Sequence, residues 1–201
     1  MRAALILGLS VLASGCASLR HRDVELTPTP APEAEHVGLQ VRIAEGVSLT
    51  LPEPPNYPET RTIVQTGRAQ YGDQRGAFDA VLSLSPERVQ IVIAMIAGPR
   101  LVTVDWDDAG VREDRAIYAP GSIPVENMLA DIFMTTWPPD AVAAALPEGV
   151  TLTVGEDGAR TIRRGDEIIV EIAQDPANTA RTVVRNAALG YEVTLVTQSQ
   201  E

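Results

Sequence analysis

Lysine is absent from this chain of 201 residues, so all 16 cationic side chains are arginine. Cysteine occurs once, at Cys16, and histidine twice, at His21 and His36. Beyond residue 36 nothing can build a Ser-His-Asp or Cys-His catalytic group or a His- or Cys-based zinc arrangement. A P-loop, a dinucleotide fingerprint and a GxSxG turn are also missing. The EDG and DDAG stretches lack the ligand spacing of a calcium loop. No cofactor and no metal are expected. Aromatic residues are scarce, at 4%, and the formal net charge is −11. A phosphate backbone needs a basic footprint, so no nucleic acid is expected as a partner. Generic electrostatic binding to anionic lipid is disfavoured for the same reason. No apolar run reaches the length of a membrane span.

What is present begins with MRAALILGLSVLASGC. Arg2 supplies a positive start, an apolar run of about ten residues follows, and small residues lead to Cys16. This is the layout of a secretory signal over residues 1–15. The ending LASGC resembles a bacterial lipobox, which implies that Cys16 is lipidated and becomes the mature N-terminus. The alternative is ordinary cleavage near Ala17, which would leave a free thiol or an intermolecular disulfide. A stray thiol in an oxidising compartment is a liability, whereas a lipidated one is an anchor. One acyl chain binds reversibly at about 0.8 kcal/mol per buried methylene, and several chains hold durably. Ala17 stands where Asp typically retains a lipoprotein in the inner membrane. That resemblance implies the periplasmic face of the outer membrane. Residues 16–35 read as the lipidated cysteine and a disordered tether, extended at TPTPAPE. Residues 36–201 read as one domain, expected to be a monomer.

Within that domain VGLQVRI alternates as a half-buried strand does, and LPEPPNYPE breaks regular structure. RTIVQTGRAQY, GAFDAVLSL, RVQIVIAMIA, RLVTVDW and VREDRAIY follow as strand candidates separated by turn residues. RVQIVIAMIA is apolar on both faces, so a cover is expected on each. The period then changes. Val125, Met128, Leu129, Ile132 and Phe133 form one helical stripe after Pro124. Their burial contributes on the order of 10 kcal/mol before entropy, so the helix should dock firmly on the sheet. DAVAAAL reads as a second, short helix, and strands resume with VTLTVG, ARTIRRG, EIIVEIAQ, ARTVVRNA and GYEVTLVTQ. The expected fold class is mainly β (α+β): a curved antiparallel open barrel with a helical insertion packed across it.

Few residues suggest chemistry. Asp105, Asp107, Asp108, Glu113, Asp114 and Asp131 are acid–base candidates by type alone, and most fall in turns or on polar faces. The chain therefore reads as non-enzymatic. Asp131 flanks the helical stripe, either capping backbone or pairing with arginine at the boundary, or standing at the rim of a ligand cavity. Trp137 is core packing whose N–H finds a carbonyl, or else an aromatic wall. Arg160, Arg163, Arg164, Arg181 and Arg185 cluster in sequence. They are expected either to pair across strands with residues such as Glu167 and Glu171, or to contact lipid phosphates.

MLADIFMTTWPPDAVAAAL, read with FDAVLSL, AGPRLVTVDW and RNAALGYEVTLVT, resembles a bacterial family of lipoproteins of unknown function. Its members often accompany aryl polyene biosynthesis genes and look like distant relatives of the outer-membrane lipoprotein receptor LolB. The matching motif residues are Ala130, Asp131, Trp137 and Pro138, then Asn186, Gly190 and Tyr191, and the similarity covers roughly residues 47–197. Where the family helix often has Gln-Leu and an aromatic before Trp, this chain has Ile132-Phe133-Met134 and two threonines. The resemblance implies a LolA/LolB-like open barrel that holds acyl chains beneath a helix, and it implies no catalytic residue. The expectation is an outer-membrane lipoprotein that binds a hydrophobic ligand, supplied by a periplasmic carrier protein. The ligand would be a lipid, an acylated protein or an aryl polyene conjugate. Phe78, Leu82, Ile91, Ile93, Leu129, Ile132 and Phe133 are its candidate cavity walls. The competing expectation is a structural or assembly lipoprotein that binds a protein partner and has a filled core, since periodicity is the same for both.

Overall fold

The computed structural model describes residues 38–119 and 124–198. Cys16, His21 and His36, with the signal and tether readings, lie outside the described residues. A short hairpin comes first, from β1 (Gln40–Ala44) and β2 (Val47–Thr50), turning at Gly46 with φ +68°. Then come β3 (Arg61–Tyr71), β4 (Gln74–Leu84), β5 (Val89–Met95), β6 (Arg100–Asp107) and β7 (Gly110–Arg115). Two helices follow, α1 (Val125–Thr136) and α2 (Pro139–Ala144). The chain ends with β8 (Val150–Val154), β9 (Arg160–Arg164), β10 (Glu167–Asp175), β11 (Asn178–Asn186) and β12 (Tyr191–Thr197).

Ten strands form one antiparallel sheet in the order β7-β6-β5-β4-β3-β12-β11-β10-β9-β8. The first and last strands do not pair with each other, so the sheet is open. It nevertheless curls. Trp106 on β6 stacks on Trp137 with ring centroids 5.6 Å apart, and Arg160 on β9 donates to the Trp137 carbonyl at 2.8 Å. A flat sheet would hold those two strands roughly 33 Å apart.

Side chains directly opposite across paired strands share a face, so rows can be followed over the sheet. One row runs Val104, Ile91, Leu82, Ile63. A second runs Met95, Phe78, Gly67, Leu195, Thr182, Gln174. A third runs Tyr71, Tyr191, Asn186, Val170, Ile162, Leu152. This inner face carries the core, and α1, α2 and the β1–β2 hairpin join the same buried cluster. The outer face of β5 corrects one expectation. Val92 and Ala94 are half-buried rather than covered. Val92 sits in register between Val81 and Thr103, and those neighbours shield it in place of a second layer.

Candidate functional site

The motif residues gather at the middle and at the C-terminal end of α1. Near its middle the side chain of Asp131 is 9% exposed and accepts a hydrogen bond from Tyr191 Oη at 2.8 Å. Burial pushes the Asp131 carboxyl up to about 7, and the Tyr191 hydroxyl opposes that rise. Tyr191 is pushed well above its ordinary value by burial, then by the charge and hydrogen bond of Asp131. Asn186, directly opposite Tyr191, is fully buried. Its Nδ2 donates to the Ile43 carbonyl at 3.0 Å, and its Oδ1 accepts from the Leu189 amide at 2.8 Å. Gly190 closes the same turn, donating to the Asn186 carbonyl at 2.9 Å with φ +70°, a conformation a side chain would strain. Tyr191, Asn186 and Gly190 also line a cavity of about 310 Å³ with Gln70, Arg185 and Glu192.

At the C-terminal end of α1, Trp137 is buried among Tyr57, Trp106 and Phe133, at centroid distances of 4.8, 5.6 and 5.2 Å. Its indole N–H donates to the Pro55 carbonyl at 2.9 Å, which is the core-packing role. Pro138 precedes α2, and Ala130 is buried inside α1. The threonines that replace the family pattern bond back into the helix, Thr135 to the Asp131 carbonyl and Thr136 to the Ile132 carbonyl, both at 2.6 Å.

The candidate cavity walls occupy the core. Leu82, Ile91, Ile93, Leu129, Ile132 and Phe133 are buried members of one apolar cluster. Phe78 is half-buried against it, its ring lying over Gly67, where an added Cβ would stand 2.2 Å from the Phe78 Cζ. Neither of the two cavities described is lined by any of the seven. The second cavity, about 150 Å³, lies at the end of α1 among Thr135, Gly158, Arg160, Ile172, Gln174 and Thr182.

The charged candidates mostly pair. Asp105 bonds Arg88, Asp107 bonds Arg112, Glu113 bonds Arg115 and Asp114 bonds Arg100. The Arg112 hydrogen bond holds the Asp107 carboxyl at about 2, with the Ala109 amide assisting. Burial raises Asp105, but its bonds to Arg88 and Gln90 outweigh that and lower it. Of the arginine cluster, Arg164 pairs with Glu167, Arg181 with Asp175 and Arg185 with Glu192. Arg160 instead turns inward. Among the described residues no group of His, Cys, Asp and Glu is placed to hold a metal.

Two features were not singled out from the sequence. One is the inward turn of Arg160, which the sequence offered only as a member of the arginine cluster, although its alternation with the buried Ile162 in ARTIRRG was the available signal. The other is an apolar tip. Met95, Ile96 and Tyr118 are 50%, 48% and 56% exposed, and Ile117 is fully exposed. Residues 116–118 are held at the start of β6, where the turn that carries Met95 and Ile96 ends, by Tyr118 Oη donating to the Arg100 carbonyl and the Ala116 amide to the Leu101 carbonyl, both at 2.8 Å. Ala97, next after Ile96, has φ +48°.

Residues 62–199 match the family described as a protein of unknown function (DUF3261), and the chain belongs to that family. A search of curated proteins finds no match.

Proposed function

We propose that this DUF3261 member is a non-catalytic lipoprotein, anchored through Cys16 to the periplasmic face of the outer membrane. In this reading it binds a hydrophobic ligand (lipid, acylated protein or aryl polyene conjugate) and transfers or inserts it at that membrane. One observation carries the reading: the apolar tip of Met95, Ile96, Ile117 and Tyr118. Met95 shares an inner-face row with half-buried Phe78, so the tip continues the apolar inner surface outward. Full burial of an exposed apolar side chain gains about 1.5–3 kcal/mol, and a half-exposed one gains about half of that. A helix laid over an open curled sheet fits a LolB-like arrangement, and a shift of α1 is the step that admits ligand.

The test is transfer of a pyrene-labelled phospholipid between donor and acceptor vesicles, with the full-length protein anchored in the acceptors. Acceleration over protein-free vesicles is expected, with most of it lost in the Met95→Glu, Ile96→Glu double variant at an unchanged melting temperature. No acceleration by the unaltered protein sinks the proposal. The second reading, an assembly lipoprotein with a filled core, is supported by the close burial of six of the seven candidate wall residues. Native mass spectrometry of protein released from envelopes separates the two. A retained lipid mass favours the first, and ligand-free protein with a co-purifying protein partner favours the second.

A further inference from the structure

Arg160 opens β9 on the inner face, opposite buried Ile172 and two residues before buried Ile162. Its Nη1 donates to the Met134 carbonyl at 2.7 Å and the Trp137 carbonyl at 2.8 Å. Met134 lies in the last turn of α1 and Trp137 caps it, where carbonyls have no partner within the helix. Both Nη1 hydrogens are thereby used. Among the described residues no carboxylate pairs with Arg160, and nothing accepts from its Nε or Nη2. A guanidinium keeps its charge even when desolvated. What remains is a half-buried positive charge whose free side-on edge, Nε–H with Nη2–H, has the spacing of a carboxylate.

Arg160 lines the cavity of about 150 Å³, room for about five waters. The Thr182 hydroxyl and Gln174 carboxamide on its wall have no partner among the described residues, so both are free to donate. Thr135 spends its hydroxyl proton on the Asp131 carbonyl. From this polar corner the inner-face row runs Gln174, Thr182, Leu195, Gly67, Phe78, Met95. It is polar at one end and apolar at the other, over about 24 Å of sheet.

We propose that this cavity binds the carboxylate of an amphiphile, held side-on by Arg160 and by donors from Thr182 and Gln174, with the apolar chain following Leu195 toward Phe78. A carboxylate fits better than a phosphate because Arg160 is the one cation on this cavity's wall. A dianion there would keep an uncompensated buried charge. The assignment rests on the hydrophobic-ligand reading above and gives that ligand an acid head group.

Full-length protein in phosphatidylcholine nanodiscs, titrated calorimetrically with decanoate, decanol and decyl phosphate against empty nanodiscs, tests it. Saturable decanoate binding is expected, about tenfold tighter than decanol. Arg160→Gln should erase that difference and leave decanol binding unchanged. Thr182→Val, remote from the helix carbonyls, should weaken decanoate several-fold at an unaltered melting temperature. Equal affinity for decanoate and decanol in the unaltered protein, or an Arg160→Gln variant that still prefers decanoate, overturns the head-group site and leaves the hydrophobic-ligand reading standing. Tighter binding of decyl phosphate overturns the choice of carboxylate. Saturable binding of none of the three overturns both.

Discussion

The Asp131 carboxyl titrates near 7 in the folded protein against an ordinary 3.8. Below about pH 4 it is neutral in both the folded and the unfolded chain. Between about 4 and 7 the folded protein keeps a proton that the unfolded chain releases, so this residue's contribution to stability is lost as pH rises and levels off above 7. The full loss is on the order of 4 kcal/mol. Asp131→Asn keeps an acceptor for Tyr191 Oη and cannot ionise. Its melting temperature should exceed that of the unaltered protein at pH 8 and match it near pH 4, and parallel profiles across that range would refute the assignment. The two tryptophans give a second comparison. Trp137→Phe orphans the Pro55 carbonyl, whereas the Trp106 indole N–H has no partner among the described residues. Trp137→Phe should therefore cost about 1–3 kcal/mol more than Trp106→Phe in urea unfolding. Neither pairing was readable in advance. Tyr191 lies 60 residues from Asp131, and Pro55 lies 82 from Trp137. Local pattern marks a residue as inward without naming its partner.

Elements were far more legible. Alternation and turn residues place β3 to β12 where the structure has them, and the 3.6-residue stripe places α1. The β2 strand was missed because four residues before a proline-rich stretch are too few to show a period. What attaches the β1–β2 hairpin to the sheet is also invisible locally: besides apolar packing, Asn186 donates to the Ile43 carbonyl and Arg164 to the Glu45 carbonyl. Asn186→Ala leaves the buried Ile43 carbonyl and the Leu189 amide without their partner, at about 1–3 kcal/mol. Hydrogen exchange of the β1–β2 amides should quicken in this variant while exchange in β4 and β5 follows only the global loss. The last turn of α1 holds no basic side chain of its own, and Arg160 supplies that charge from β9.

At the scale of the whole molecule, the open sheet leaves β7 as an edge, and Arg112, Glu113, Asp114 and Arg115 make that edge a poor template for another strand. The other edge strand, β8, packs with α2. The proposed attachment to a membrane rests on Cys16 and is tested there. Cys16→Ser should move the protein from the membrane to the soluble periplasmic fraction and abolish incorporation of labelled palmitate. Unchanged membrane recovery in that variant would refute lipidation as the means of attachment.

Composition and periodicity by themselves determined the mainly β class, the position of each long strand and of α1, and the lack of His- or Cys-based chemistry in the domain. Each of these depends on residues close together in the chain, where side-chain alternation and turn preference act. Tertiary structure alone decided that the sheet curls without closing, that Leu82, Ile91 and Leu129 pack against one another in a core, and that Arg160 faces a cavity. A hydrophobic period records which side of an element leaves water. What fills the space on that side depends on how remote elements meet.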